Sequence, residues 1–222
     1  MDRFADRREA GWRLAGRLST MRPLAPVVLG IPRGGVIVAA EVASGLGAPL
    51  DVVVVRKLGV PMRPQLAMGA IGEGDVLVTE DRVVRSAGIS QAAFDAVREA
   101  ELERLGSLVR VLRDARAAED LTGRLCILVD DGIATGSTSL AAIRVARSRG
   151  AARVVLAAPV IASSAIARLE AAADEVVWLV ADEPFAGVGQ FYENFDQVPD
   201  SDVVDCLRAA SSRARTDVDD AV

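Results

Sequence analysis

Histidine is absent from this 222-residue chain, and lysine nearly so. Without an imidazole there is no Ser-His-Asp or Cys-His nucleophile, no His-ligated zinc or non-haem iron, and no histidine general base. Of the 26 basic residues, 25 are arginine, and the single lysine is Lys57. Against that background Lys57 is either a chance survivor or a place where a compact ammonium is wanted. Cysteine is scarce too. Cys126 and Cys206 lie far apart and neither belongs to a CxxC, which argues against a metal knuckle or a redox motif. No run reaches the roughly 18 apolar residues of a membrane span, and the opening MDRFADRREAGW carries acids rather than an apolar signal core. A cytoplasmic location with no membrane partner is expected. A basic face is also missing. With 31 acidic residues the net charge is −5, which argues against nucleic acid as a partner. Aromatics number only eight, yet four of them (Phe185, Phe191, Tyr192 and Phe195) bunch within residues 185–195.

What is present is apolar and evenly spread. Hydrophobic residues make up 51% of the chain, enough for a full core in one large domain. Short Val/Leu/Ile runs occur at 26–31, 51–55, 125–129, 153–158 and 175–180, each continuous rather than alternating. Strands buried on both faces of a parallel sheet read this way. Helical stretches lie between them, at 35–46, 138–149 and 163–172, after an amphipathic helix over 3–19. The alternation predicts an α/β fold, a doubly wound parallel sheet flanked by helices. Residues 57–120 break the rhythm: GVPMRP at 59–64 is loop-like, 67–72 and 75–79 suggest a hairpin around Glu73-Gly74, and 90–116 a long helix capped by Ser90. The expected organisation is one domain over 1–210, with 57–120 as a mobile hairpin and long-helix insertion. Residues 211–222 are expected to form a disordered polar tail.

Chemistry concentrates in VDDGIATGST at 129–138. A buried strand ends in two carboxylates, Asp130 and Asp131. A loop with Gly132 and Gly136 follows, and Ser137 and Thr138 open a helix. Free N–H groups at a helix start, glycine for close approach and two hydroxyls make a phosphate cradle. Carboxylates beside a phosphate would repel it unless something neutral or cationic lay between. A ribose fits, its vicinal hydroxyls on the acids and its 5′-phosphate in the loop. The GxxxxGK[ST] pattern is absent, and Gly45 and Gly47 close a helix instead of opening one, so neither a P-loop nor a dinucleotide fingerprint is present.

VDDGIATGST resembles the phosphoribosyl pyrophosphate motif of the type I phosphoribosyltransferases. FADRREAGWRLA at 4–15, VVLGIPRGGVIVAAEVA at 27–43, PLDVVVVRKLGVP at 49–61 and VGQFYENFDQV at 188–198 are similar to uncharacterised bacterial phosphoribosyltransferase-domain proteins of that superfamily. The resemblance implies that Asp130 and Asp131 hold the ribose hydroxyls, and that Ala134, Thr135, Gly136, Ser137 and Thr138 bind the 5′-phosphate. Pro32, Arg33, Gly34 and Gly35 would form the pyrophosphate loop, with a strained or cis peptide expected near Arg33-Gly34. Arg56 and Lys57 would approach the pyrophosphate from the other side. Magnesium would act as cofactor, bridging pyrophosphate and ribose oxygens, with Asp130 and Asp131 as the available protein ligands. The reaction implied replaces pyrophosphate at the anomeric carbon by a small nitrogenous acceptor, with Arg33, Lys57 and magnesium favouring the departing anion. A homodimer is the expectation from the family.

Two features bear on the acceptor. Relatives acting on 6-oxopurines carry an acid where this chain has Ala134, so that role is disfavoured. Glu73, 16 residues after Lys57, is the candidate acid/base, against the plain alternative of a solvated hairpin tip. The aromatic segment, within a hood over 182–198, would either stack Phe191 or Tyr192 on the acceptor ring or simply pin the segment to the sheet. Beside a transferase, the alternatives are a module that senses phosphoribosyl pyrophosphate or a nucleotide, and an enzyme that hydrolyses or phosphorolyses a phosphoribosyl compound.

Overall fold

The computed structural model describes residues 3–219, with only the backbone considered at residue 65 and from 211 onward. Five parallel strands make the main sheet: β1 (Val27–Gly30), β2 (Leu50–Val52), β6 (Leu125–Val129), β7 (Arg153–Ala162) and β8 (Glu175–Asp182), in the order β2-β1-β6-β7-β8. Apart from Arg153, all residues of β1, β2, β6 and β7 are buried, which is why these segments read as continuous apolar runs. The helices α1 (Arg7–Leu18), α2 (Gly34–Leu46), α5 (Ser137–Ser148) and α6 (Ser163–Glu170) pack on the sheet, and α1 also packs on α2. This is the doubly wound architecture the alternation implies.

The run at 51–55 divides between two sheets. β2 ends at Val52, Val53 and Val54 cross over, and β3 (Val55–Val60) begins a separate antiparallel sheet with β4 (Arg63–Gly72) and β5 (Val76–Thr79). The loop-like 59–64 is thus the β3–β4 turn with its flanks, and the hairpin about Glu73-Gly74 is β4–β5. A short helix α3 (Asp81–Ser86) leads to the long helix α4 (Gln91–Ala115), whose start is capped by the Ser90 hydroxyl accepting the Ala93 N–H. α4 packs on one face of the small sheet and α5 on the other. The final helix α7 (Asp200–Asp219) takes in the backbone of much of the segment expected as a disordered tail. Acids at its first turn favour the helix start. Residues 220–222 lie outside the described residues.

The register places the site. Val27–Gly30 of β1 align with Cys126–Val129 of β6, and the Ile31 N–H donates to the Val129 carbonyl at 2.9 Å. The two strands therefore end level, and the loops leaving them start side by side. Chain order reverses between these strands, and in open parallel sheets that crevice at the carboxyl ends receives ligands.

Candidate active site

Two helices open at this crevice without a side-chain cap. α2 begins behind Arg33 and α5 behind Gly136, which adopts a left-handed φ of +76°. Uncapped first turns leave N–H groups available to an anion. The 129–138 and 32–35 motifs thus meet at one place.

The contact between them is tight. A Cβ on Gly34 would stand 1.9 Å from Asp131 Oδ2, and one on Gly35 would stand 2.6 Å from the Val129 carbonyl and 2.9 Å from Asp130 Cα. The glycines do more than turn N–H groups outward. They let the loop lie against the acidic pair. The cis peptide of this loop is Pro32–Arg33, one bond before the expected position.

The acids differ from each other. Asp130 Oδ1 accepts the Asp131 N–H at 2.9 Å. Burial, then the neighbouring Asp131 charge, pushes the Asp130 carboxyl well above the usual range. Asp131 is instead paired with Arg7, whose Nε lies 2.7 Å from Oδ2, the two side chains being only 11% and 15% exposed. Arg7 Nη1 donates to the Asp196 carbonyl at 2.9 Å, and its guanidinium lies 3.9 Å above the Phe195 ring. The Tyr192 hydroxyl donates to the Asp131 carbonyl at 2.6 Å.

Not every expected residue points at the crevice. Arg33 pairs with Asp200 of α7 at 2.8 Å. Arg56 pairs with Glu101 of α4 at 2.6 Å. Adjacent strand residues leave opposite faces, so Lys57 lies on the face shared with Val55 and Ala70, which packs on α5. The two basic residues therefore do not leave β3 on one side as expected: Arg56 points to α4 and Lys57 leaves the face on which α5 packs.

Glu73 is also corrected. Its carboxylate accepts the Val54 N–H at 2.8 Å and is bridged by Arg113 to the buried Asp51, so it is neither a free tip nor a group in the crevice. Tyr192 and Phe191 are buried in a cluster with Phe4, Phe185 and Phe195. They pin the hood to the sheet edge. Tyr192 is 2% exposed and has no free face for a ring to stack on, and Phe191, also buried, lines a cavity of about 290 Å³.

Two site residues escaped the sequence reading. Arg7 is one. Glu80 is the other: it follows β5, accepts from the Ser137 hydroxyl at 2.8 Å, and pairs with Arg168 of α6 at 2.6 Å. Thr135 and Ser137 hydroxyls lie 3.3 Å apart in the same loop. Glu80 lies in no quoted segment. Arg7 lies in FADRREAGWRLA, a segment similar to the family but with no role attached to its residues.

The sheet order and the paired loops define a parallel α/β protein with two uncapped helix starts at its switch point. A family model described as the phosphoribosyl transferase domain matches residues 14–190. The chain belongs to that family. Two Mycobacterium tuberculosis proteins, from two strains and provisionally named phosphoribosyl transferases, are 51% identical over 210 residues, covering 95% of this chain. The chain spans 47% of the length of those relatives. The crystal structure of TT1426 from Thermus thermophilus superposes with a TM-score of 0.77 at 44% identity, covering 93% of this chain and 98% of that one.

Proposed function

We propose that this chain transfers the ribose-5-phosphate group of phosphoribosyl pyrophosphate to a small nitrogenous base and releases pyrophosphate. The observation that carries the reading is the junction of the two loops: an acidic pair against a glycine pair, flanked by two uncapped helix starts. One helix start suits the 5′-phosphate, through Thr135, Gly136, Ser137 and Thr138 with Ala134 at the loop's entry. The other suits the pyrophosphate, through Pro32, Arg33, Gly34 and Gly35. Asp130 and Asp131 between them suit the ribose hydroxyls. The acceptor nitrogen attacks the anomeric carbon as its bond to pyrophosphate oxygen breaks, and the electron pair leaves with pyrophosphate. Carboxylates near the ring favour the positive charge that develops there. Lys57 favours the departing anion, and so does Arg33 once it exchanges Asp200 for the ligand.

The hard oxygens of Asp130 and Asp131 suit magnesium. Among the described residues no group of three or more acidic or cysteine side chains could hold a metal alone, so substrate oxygens would complete the shell. Bound there, magnesium would neutralise the departing pyrophosphate. Ala134 removes the acid that 6-oxopurine enzymes carry, which disfavours those bases. We read the protein as a cytoplasmic homodimer. Among the described residues no helix is long and apolar enough to cross a membrane.

A second reading, a sensing module for phosphoribosyl pyrophosphate or a nucleotide, draws support from Glu80 already holding Ser137. One experiment separates the two. The chain is incubated with phosphoribosyl pyrophosphate, magnesium and a panel of bases, and pyrophosphate is measured. Release that needs a base supports transfer. Binding without release supports sensing, and release without any base supports hydrolysis.

A further inference from the structure

We propose that Arg7, carried in by α1, is the positioning residue of this site: it fixes the direction of the Asp131 carboxylate and ties the acidic pair to the hood. The inference rests on the reading of Asp131 as an acceptor for ribose hydroxyls.

Arg7 is fastened on three sides. Its Nε edge meets Asp131 Oδ2 at 2.7 Å, its Nη1 meets the Asp196 carbonyl at 2.9 Å, and its face covers the Phe195 ring at 3.9 Å. The glycine loop makes a further wall, because a Cβ on Gly34 would stand 2.7 Å from Arg7 Nε. A planar guanidinium can use its edge and its face together, which an ammonium cannot. One side chain thus touches the acidic loop, the glycine loop and the hood. Tyr192 holds the Asp131 backbone from the hood side, so Arg7 is the group that aims the carboxylate itself.

The position also answers an electrostatic difficulty. Two acids between two anion-binding loops would repel the ligand those loops attract. Arg7 places a cation there, 11% exposed and so little screened by water.

Arg7 also lines a cavity of about 520 Å³, whose other charged lining is Asp6, Arg8, Glu41, Asp196, Asp202 and Asp205. Acids outnumber bases in that lining even with Glu41 paired to Arg8, so it admits a small cation to the place the guanidinium occupies. A small cation can therefore reach the space left when the side chain is cut back.

The test uses the whole chain and isothermal titration with magnesium and phosphoribosyl pyrophosphate. Arg7→Ala is expected to weaken binding by roughly 10- to 100-fold, the loss typical of a hydrogen bond to a charged group. Added guanidinium at tens of millimolar should restore a large part of it, and sodium chloride at the same strength should not. Arg7→Lys should fall between. A purely structural role would not respond to guanidinium. If Arg7→Ala does not fold, Arg7→Gln is titrated in its place, with the same expected loss. Wild-type binding matched by a folded Ala or Gln variant overturns the inference alone, as does a loss in Arg7→Ala that guanidinium fails to reverse. A wild-type chain that binds no phosphoribosyl pyrophosphate overturns the reading of the site, and this inference with it.

Discussion

Gly34 lies so close to Asp131 that a single added carbon would stand 1.9 Å from the carboxylate oxygen. The neighbours are a part-buried ion pair held from several sides rather than the loose end of a flexible side chain, so the clash has no cheap escape. Gly34→Ala is expected to abolish measurable binding of phosphoribosyl pyrophosphate and to cost about 1–3 kcal/mol of stability, as overpacking does. Gly16, in the exposed face of α1, has nothing within 4 Å of the same added carbon. Gly16→Ala should leave binding intact and stabilise the chain by about 0.5–1 kcal/mol through helix propensity. Urea unfolding and titration of the two variants in parallel check both halves.

Glu80 holds the Ser137 hydroxyl at 2.8 Å, in the loop read as the 5′-phosphate site. A phosphate entering that loop meets a carboxylate competing for the same donor. Glu80→Gln removes the charge while keeping the shape. It is expected to tighten binding of ribose 5-phosphate several-fold, most at low salt, where repulsion is least screened. Titration at two ionic strengths reads this directly, and affinity that is unchanged or weaker removes Glu80 from competition.

The fold was legible because strands buried on both faces leave a mark that needs no partner: β1, β6 and β7 are apolar at nearly every position. The acid pair and glycine loops were legible because each is contiguous in sequence. Arg7 was not, since it reaches Asp131 across 124 residues and only the packing of α1 brings them together. The run 51–55 hid a change of sheet, because a crossing residue such as Val53 is as apolar as a strand residue and equally buried. Glu73 was misread for a similar reason. The sequence shows a hairpin tip, and only the fold shows that Arg113 of α4 reaches down to it.

Asp51 is fully buried on β2, yet it faces Arg113 at 2.5 Å and Arg149 at 3.1 Å and also accepts the Glu119 N–H at 3.1 Å. Removing its charge would take away the carboxylate that Arg149 meets and leave Arg113 with Glu73 alone. Asp51→Asn is expected to cost about 3–5 kcal/mol, the range for breaking a buried pair from one side. Glu73 shares Arg113 from a more accessible position, at 3.2 Å. Glu73→Gln should cost only about 1 kcal/mol and leave pyrophosphate release unchanged. Turnover that collapses in Glu73→Gln while stability holds would return this residue to the chemistry.

Cys126 lies in the middle of the main sheet, paired in register with Val27 on one side and Val154 on the other. Burial pushes its thiol from about 9 up to about 11, and the nearby Arg149 and Arg124 offset only part of that. The unfolded chain therefore releases this proton before the folded one. The stability tied to the neutral thiol is fully present below pH about 9 and is lost as pH rises through about 11. Between pH about 8 and about 10 the wild-type urea midpoint should fall further than that of Cys126→Ala, by the equivalent of about 1 kcal/mol. In native protein at neutral pH, iodoacetamide should label the half-buried Cys206 well before Cys126, and the order should vanish in urea. Equal native labelling of the two thiols would mean that the β1–β6–β7 core opens far more readily than its packing implies.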